Sequence, residues 1–392
     1  MRILFYCSEY PPYKSGGIGR VTKIVAEELV KCGHIVHVIG YYSSMRTNYE
    51  HSVDNGVEIF RYKLDSVIDS MPFLFRCVRK LGLARHLAQR QIDFIEDKIQ
   101  EHISNYKMEV LELTDFYPFI LYARNLKFRK FSIPTVLRVH GSSSFVQSLS
   151  GKGRKYYFEN DTRHFRRCDC ISAVSSYSLQ YVISNYKLPC SIRKEVIYNP
   201  IDDRFLCKSP STNNDYILFV GKLIKTKGCY SLAKAFNTLA SDCPTVKLVF
   251  AGDGNKDALL NVIEPKYHNR VVFHGYCDTA TLTKIIDECA FACIPSYFEN
   301  FSMVALEIMA RQKALIFTTR TSGREIISQG CNGFVVDPDD LSDLSTKMRL
   351  LVNDHKLRDS LAFNAYQTID CKFKSSIIVR QLESLYMSLL NV

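Results

Sequence analysis

No stretch of this chain is apolar for long. Its hydrophobic runs fall well short of the ~18–20 residues that a membrane-crossing helix needs. The amino terminus, MRILFYCSEYPP, lacks an apolar core of secretion-signal length and reads as a first β-strand. The expectation is a protein that stays in the cytosol. CxxC pairs are also missing, which removes the usual spacing for zinc or thiol–disulfide chemistry. The 14 cysteines, scattered from Cys7 to Cys371, then read as reduced thiols that behave as small hydrophobes. No Asp-x-Asp string sits where it could hold a divalent ion, because Asp337-Pro-Asp339-Asp340 has the composition of a surface turn. Tandem repeats and low-complexity tracts are missing too. So are the motifs of zinc fingers, helix-turn-helix units and RNP-type sheets, and no nucleic-acid partner is expected.

What is present is ordinary globular material: 392 residues, 46% hydrophobic and 23% charged, enough for two domains. Charge is unevenly placed. Residues 1–200 hold 29 basic and 19 acidic side chains, and the remainder holds 22 and 21. The surplus gathers at Arg76-Cys-Val-Arg79-Lys80 and at Arg124-Asn-Leu-Lys127-Phe-Arg129-Lys130. It points to an anionic partner for the first half, with an anionic membrane surface as one candidate and a solvated basic face as the plain alternative.

Short apolar, β-branched runs alternate with segments of helical period along the whole length. They include Ile3–Cys7, Ile35–Gly40, Val110–Leu113, Thr135–His140, Tyr216–Val220, Val246–Ala251, Ala290–Ile294 and Ala314–Thr318. Runs that are apolar throughout suit parallel strands covered on both faces, hence an α/β class with doubly wound sheets. The Pro-, Ser- and Asn-rich stretch from Asn199 to Asn214 breaks the pattern before it restarts. The expected division is 1–200, 201–374 and a helical stripe over 375–392, with a crevice between the two α/β domains.

Three loops carry chemistry. Lys14-Ser-Gly16-Gly17-Ile-Gly19-Arg20 follows a strand and opens a helix, so its amides and the helix dipole suit an anion. The spacing is not that of a dinucleotide fingerprint, and Ile39-Gly40-Tyr41-Tyr42 offers no acid for a ribose after the second strand, which disfavours a dehydrogenase. Gly221-Lys222-Leu-Ile-Lys-Thr-Lys227-Gly228 follows the first strand of the second half. Its lysines can neutralise a diphosphate. Pro295-Ser-Tyr-Phe-Glu299-Asn300-Phe301-Ser302-Met-Val-Ala-Leu-Glu307 places two carboxylates around a helix start at Ser302, where one can hold a ribose diol and exposed amides can hold sugar hydroxyls.

With these residues the chain resembles a retaining glycosyltransferase of the GT-B fold, in the family 4 group related to glycogen synthases. Glu299 and Glu307, with seven residues between them and Pro-Ser ahead, form the most specific part of the match. Ala251-Gly-Asp-Gly254, Phe273-His-Gly275-Tyr276 and Gly330-Cys-Asn-Gly333 extend it. The resemblance implies two Rossmann-like domains facing a cleft, with a carboxyl-terminal helix crossing back to the first. It implies that Lys222 and Lys227 bind the diphosphate of a nucleotide-sugar and that Glu307 binds its ribose. Glu299 and the amides of Asn300, Phe301 and Ser302 would hold the donor sugar, with Gly275 and Tyr276 nearby. Lys14, Gly16 and Gly17 would face it from the first domain, and His140 would stand near the transferred sugar. The family more often has Arg at position 222; Lys keeps the charge and loses the bidentate fork. The implied reaction retains anomeric configuration and uses no metal or other cofactor. Its acceptor would be a glycan or lipid-linked glycan of capsule, exopolysaccharide or lipopolysaccharide type, and the enzyme would be cytoplasmic or peripheral at the inner face of the membrane. A GT-B epimerase and a non-catalytic nucleotide- or carbohydrate-binding subunit are the alternatives.

Overall fold

The computed structural model describes residues 1–13, 16–64, 83–117, 119–149, 151, 153–206 and 216–390. Lys14 and the basic run Arg76–Lys80 lie outside that set. The chain divides into two compact units, Met1–Pro200 with Ile378–Val392, and Ile201–Ile377.

The first unit runs β1 (Arg2–Tyr6), α1 (Gly17–Lys31), β2 (Ile35–Tyr42), β3 (Tyr49–Asp54), β4 (Val57–Lys63), α2 (Ala84–Tyr106), β5 (Val110–Thr114) and β6 (Thr135–Val139). It continues through α3 (Ser143–Leu149), α4 (Lys155–Arg166), β7 (Cys170–Ala173), α5 (Ser176–Asn185) and β8 (Arg193–Val196). These strands form one eight-stranded sheet in the order β3-β4-β2-β1-β5-β6-β7-β8. All neighbours are parallel except β3, which pairs antiparallel with β4. The central strands β1, β2, β5, β6 and β7 are almost wholly buried because helices cover both faces. On α1 the stripe Val21, Val25, Ala26 and Leu29 packs inward. β3, with the polar sequence YEHSVD, caps the edge and is largely exposed.

The second unit contains β9 (Tyr216–Val220), α6 (Cys229–Asp242), β10 (Lys247–Ala251), α7 (Lys256–Leu260), β11 (Val271–Gly275), α8 (Thr279–Glu288) and β12 (Phe291–Cys293). Then come α9 (Met303–Ala310), β13 (Ala314–Thr318), α10 (Gly323–Ile326), β14 (Phe334–Val336), α11 (Leu341–Asn353) and α12 (His355–Lys372). Its six strands are all parallel, ordered β11-β10-β9-β12-β13-β14. Numbered within the unit, this is the 3-2-1-4-5-6 order of a Rossmann sheet. The chain reverses direction of travel between β9 and β12, and ligands of such sheets sit outside the carboxyl ends of those two strands. The first sheet has the same order over β4-β2-β1-β5-β6-β7, with one further strand at each edge, β3 and β8, and the reversal between β1 and β5.

The last helix, α13 (Ser375–Leu390), starts in the second unit, where the Ser375 hydroxyl donates to Asp203 at 2.8 Å. From Ile378 it belongs to the first. There Tyr386 donates its hydroxyl proton to Glu112 on β5 at 2.5 Å, and Glu383 meets His34 at 2.6 Å. Arg138, almost fully buried on β6, donates to the carbonyl of Tyr198 at 2.9 Å and so holds the chain where it leaves the first unit. Among the described residues no helix is long and apolar enough to cross a membrane.

Candidate active site

The loops that leave β9 and β12 are tied together at the reversal point of the second sheet. After β9 the chain makes a short 3-10 turn over Lys225–Lys227 and reaches Gly228, the residue before α6. Gly228 has φ +75°, and a Cβ there would lie 1.9 Å from the carbonyl oxygen of Pro295. Only glycine lets the two backbones touch in this way. The Tyr297 amide donates to the Thr226 carbonyl at 2.9 Å, and the Ser296 hydroxyl bridges toward the Lys227 carbonyl and Glu299.

The functional side chains meet above this seam. Lys227 Nζ donates to Glu299 Oε1 at 2.6 Å, with about a third of the lysine side chain open to solvent. Glu299 is braced from a third loop, after β13. Its amide donates to Thr321 Oγ1 at 3.2 Å, and its carbonyl accepts from the Thr321 hydroxyl at 2.5 Å and from Ser322 at 3.2 Å. Thr321 takes φ +55°, unusual for a β-branched residue, to make this double contact. Ser302 then caps α9, accepting from the Ala305 amide. Glu307, on the second turn of α9, is fully buried. The side chain of Phe301 packs on Phe373 with ring centroids 5.6 Å apart, so its part in the site is that of its backbone. Lys222 is exposed.

A neighbouring loop joins the group. The carboxylate of Asp253, after β10, accepts from the Tyr276 amide at 3.0 Å, and the Asp253 carbonyl accepts from the Leu223 amide at 2.7 Å. This fixes Gly275 and Tyr276 beside the β9 loop and leaves the Tyr276 side chain 80% exposed. Asp337 and Asp339 both grip Arg320, at 2.8 and 2.6 Å.

The remaining expected site residues lie on the first unit. Gly16 precedes α1, and its amide donates to Glu9 Oε2 at 3.2 Å. Gly17 is exposed, with open space around its Cα. His140 directly follows β6, and its amide donates to Asp115 Oδ1 at 3.0 Å, as the Gly141 amide does to Oδ2 at 2.8 Å. Burial, reinforced by the Arg138 charge, pushes the His140 imidazole down to about 3, so it is neutral at ordinary pH. Burial pushes Asp115 the other way, to about 7, against the pull of the two amides. Lys14 lies outside the described residues. In the second basic cluster, Arg129 pairs with Asp97 at 2.6 Å and Lys130 with Asp169 at 3.1 Å, so part of that charge is neutralised within the unit.

Two family models divide the chain between them. Glycosyltransferase Family 4 matches residues 15–205, and Glycosyl transferases group 1 matches residues 206–368. The chain belongs to the family 4 glycosyltransferases. An uncharacterized glycosyltransferase of Methanocaldococcus jannaschii is 30% identical over 60% of this chain and 63% of its own length. The capsular polysaccharide biosynthesis glycosyltransferase CapM of Staphylococcus aureus is 27% identical over 46% of this chain and 48% of its own. The chain thus spans about half to two thirds of these two relatives. The glycogen synthase of Mycobacterium tuberculosis is 24% identical over 99% of this chain and 95% of its own. Among solved structures, the sucrose-phosphate synthase from Thermosynechococcus elongatus superimposes with a TM-score of 0.77 at 15% identity, covering 99% of both chains. That likeness establishes the GT-B fold.

In this family 4 member, Asp253 lies within the Ala251-Gly-Asp-Gly254 string that carries part of the resemblance, and Thr321 and Ser322 lie in the loop after β13. What the strings do not announce is their part in the site: each bonds a backbone group of a neighbouring loop. Glu9 and Asp115 carry a usable signal, since each is an acid in the segment that leaves an apolar strand, Asp115 directly after β5 and Glu9 beyond Cys7 and Ser8 after β1.

Proposed function

We propose that this protein transfers a sugar from a nucleotide-diphosphate sugar to a glycan or lipid-linked glycan, with retention and without a metal ion. The observation that carries the reading is the Lys227–Glu299 pair, held over the seam between the two loops that leave β9 and β12. A cation at the carboxyl ends of the central strands stands where a Rossmann sheet receives a diphosphate. Breaking the anomeric C–O bond builds negative charge on the departing diphosphate, and a prepositioned ammonium lowers the energy of that state. Lys227 supplies this charge and Lys222 adds to it from solvent. Glu299 holds Lys227 in place and accepts from donor-sugar hydroxyls, together with the backbone of residues 300–302. Glu307 accepts from the ribose diol. The Asp337 and Asp339 carboxylates are committed to Arg320, which leaves the lysines to take the role a divalent ion has elsewhere.

On the first unit, Gly17 offers its backbone at the positive end of α1, the Gly16 amide being engaged with Glu9, and neutral His140 offers a hydrogen bond to a sugar hydroxyl. With no nucleophile assigned to the protein, the departing phosphate oxygen takes the acceptor's proton on the same face of the ring, which preserves configuration. CapM's capsular role supports a place in bacterial surface polysaccharide synthesis for this chain. An anionic-surface contact would rest on Arg76, Arg79 and Lys80.

A thermal-shift screen against UDP-, GDP- and ADP-sugars tests the donor. At ligand 100-fold above its dissociation constant, a true donor adds about 2.7 kcal/mol of stability. Calorimetry should show the same donor binding more weakly to Glu307→Gln. A flat screen, or equal affinity in the two proteins, refutes the assignment. Product anomeric couplings then report retention, and rates with and without a chelator report metal independence.

A further inference from the structure

The reversal point of the first sheet has a cavity of its own. It opens beyond the carboxyl ends of β1 and β5 and encloses about 370 Å³, near the lower end of the roughly 300–1,000 Å³ typical of small-molecule sites. Its wall has two characters. One part is apolar and aromatic and includes Phe116, which keeps 46% of its surface exposed, and Tyr122. The other is a set of oxygen groups that includes Glu9, Ser8 and Thr114. The Glu9 carboxylate is steadied by the Gly16 amide. Among the described residues that line the cavity, Glu9 is the charged one, and there is no Lys, Arg or His. This contrasts with the basic surplus of the same half of the chain.

A sugar ring matches such a wall. Its C–H face packs on aromatic surface while its vicinal hydroxyls donate to a carboxylate. Among the described residues of the wall, a phosphate group would meet a like charge and no cation to offset it. We propose that this cavity seats an uncharged sugar ring, the accepting residue of a glycan, and discriminates against sugar phosphates. The proposal rests on the transferase reading and narrows its acceptor.

The test uses the full chain with glucose, galactose and N-acetylglucosamine, each against its 6-phosphate, followed by saturation-transfer NMR and calorimetry. At least one neutral sugar should bind, at least tenfold tighter than its phosphate. Glu9→Gln should weaken that binding about tenfold, the difference between a charged and a neutral acceptor, and should narrow the gap to the phosphate. Phe116→Ala, a change at a half-exposed position, should weaken both. Phosphates that bind as well as neutral sugars, wild-type protein that binds no neutral sugar, or binding indifferent to both substitutions would each overturn the proposal. The donor thermal shift on the same preparation separates the two readings. A protein that keeps its donor shift but prefers phosphates loses only this inference, whereas a protein with no donor shift loses the transferase reading.

Discussion

Gly228 should be the position where one added methyl group does most damage to the donor loops. Two costs fall on Gly228→Ala. An L-residue at φ +75° is strained by roughly 1–2 kcal/mol. Part of that is offset, by about 0.4–1 kcal/mol, because alanine restricts the unfolded chain. The larger cost is the 1.9 Å approach of the new Cβ to the Pro295 carbonyl, which forces one backbone to move. Overpacking of this kind costs about 1–3 kcal/mol, so the total is about 1–5 kcal/mol. At ~2–4 °C per kcal/mol for a unit of this size, the melting temperature should fall by roughly 2–20 °C. Gly330 supplies the control. Its φ is +73°, but a Cβ there meets nothing within 4 Å, so Gly330→Ala carries the strain without the collision. Scanning calorimetry on both variants isolates the contact. Because the displaced segment leads to Glu299, the donor thermal shift should shrink in Gly228→Ala and stay intact in Gly330→Ala. Equal losses of stability in the two variants, with equal donor shifts, would show that the loop seam does not organise the site.

Lys227→Ala should lower turnover by roughly 10²–10³ at saturating donor, the usual loss when one group that stabilises transition-state charge is removed. Undiminished turnover would remove Lys227 from the chemistry. Acid sensitivity has a separate origin in the first unit, where His102 Nε2 sits 2.9 Å from His37 Nδ1. Burial, with His37 and His51 adding to it, pushes His102 down to about 3. The unfolded chain takes up its proton near the ordinary 6.5, so folding is penalised as pH falls from about 6.5 toward 3. Asp115 and Asp161, raised to about 7 and about 6, act in the opposite sense over part of that range. The comparison is therefore between variants. His102→Gln should lose less stability than wild type between pH 7 and pH 4.5 in guanidinium titrations. Identical losses would contradict the shift.

The two sheets were legible because their central strands are buried on both faces, which forces uninterrupted apolar runs such as Ile3–Cys7 and Tyr216–Val220. The edge strand β3 was not. Its residues lie mostly in solvent, so YEHSVD carries no hydrophobic signal and reads as loop. The short apolar run Val196–Tyr198 reads from the sequence as a strand, but the strand there is β8 over Arg193–Val196, again an edge where burial is slight and the pattern weak. In the site, the Glu299–Glu307 spacing stands out because a short loop and a helix start dictate it. Lys227 and Glu299, 72 residues apart in the chain, meet only because β9 and β12 are sheet neighbours. Glu9 and the aromatic wall beside it come from β1, β5 and the segments after them, a grouping that topology makes and local sequence cannot announce.

The route of α13 has a consequence for the order in which the molecule can be completed. Ribosomes deliver residues 378–390 after the whole second unit, yet these residues belong to the first. Until they arrive, the Glu112 carboxyl on β5 has no tyrosine to receive a proton from, and His34 has no glutamate. The amino-terminal half must therefore wait, one flank uncovered, while the later half is synthesised and can fold. Translation sets a schedule in which the part begun first is finished last.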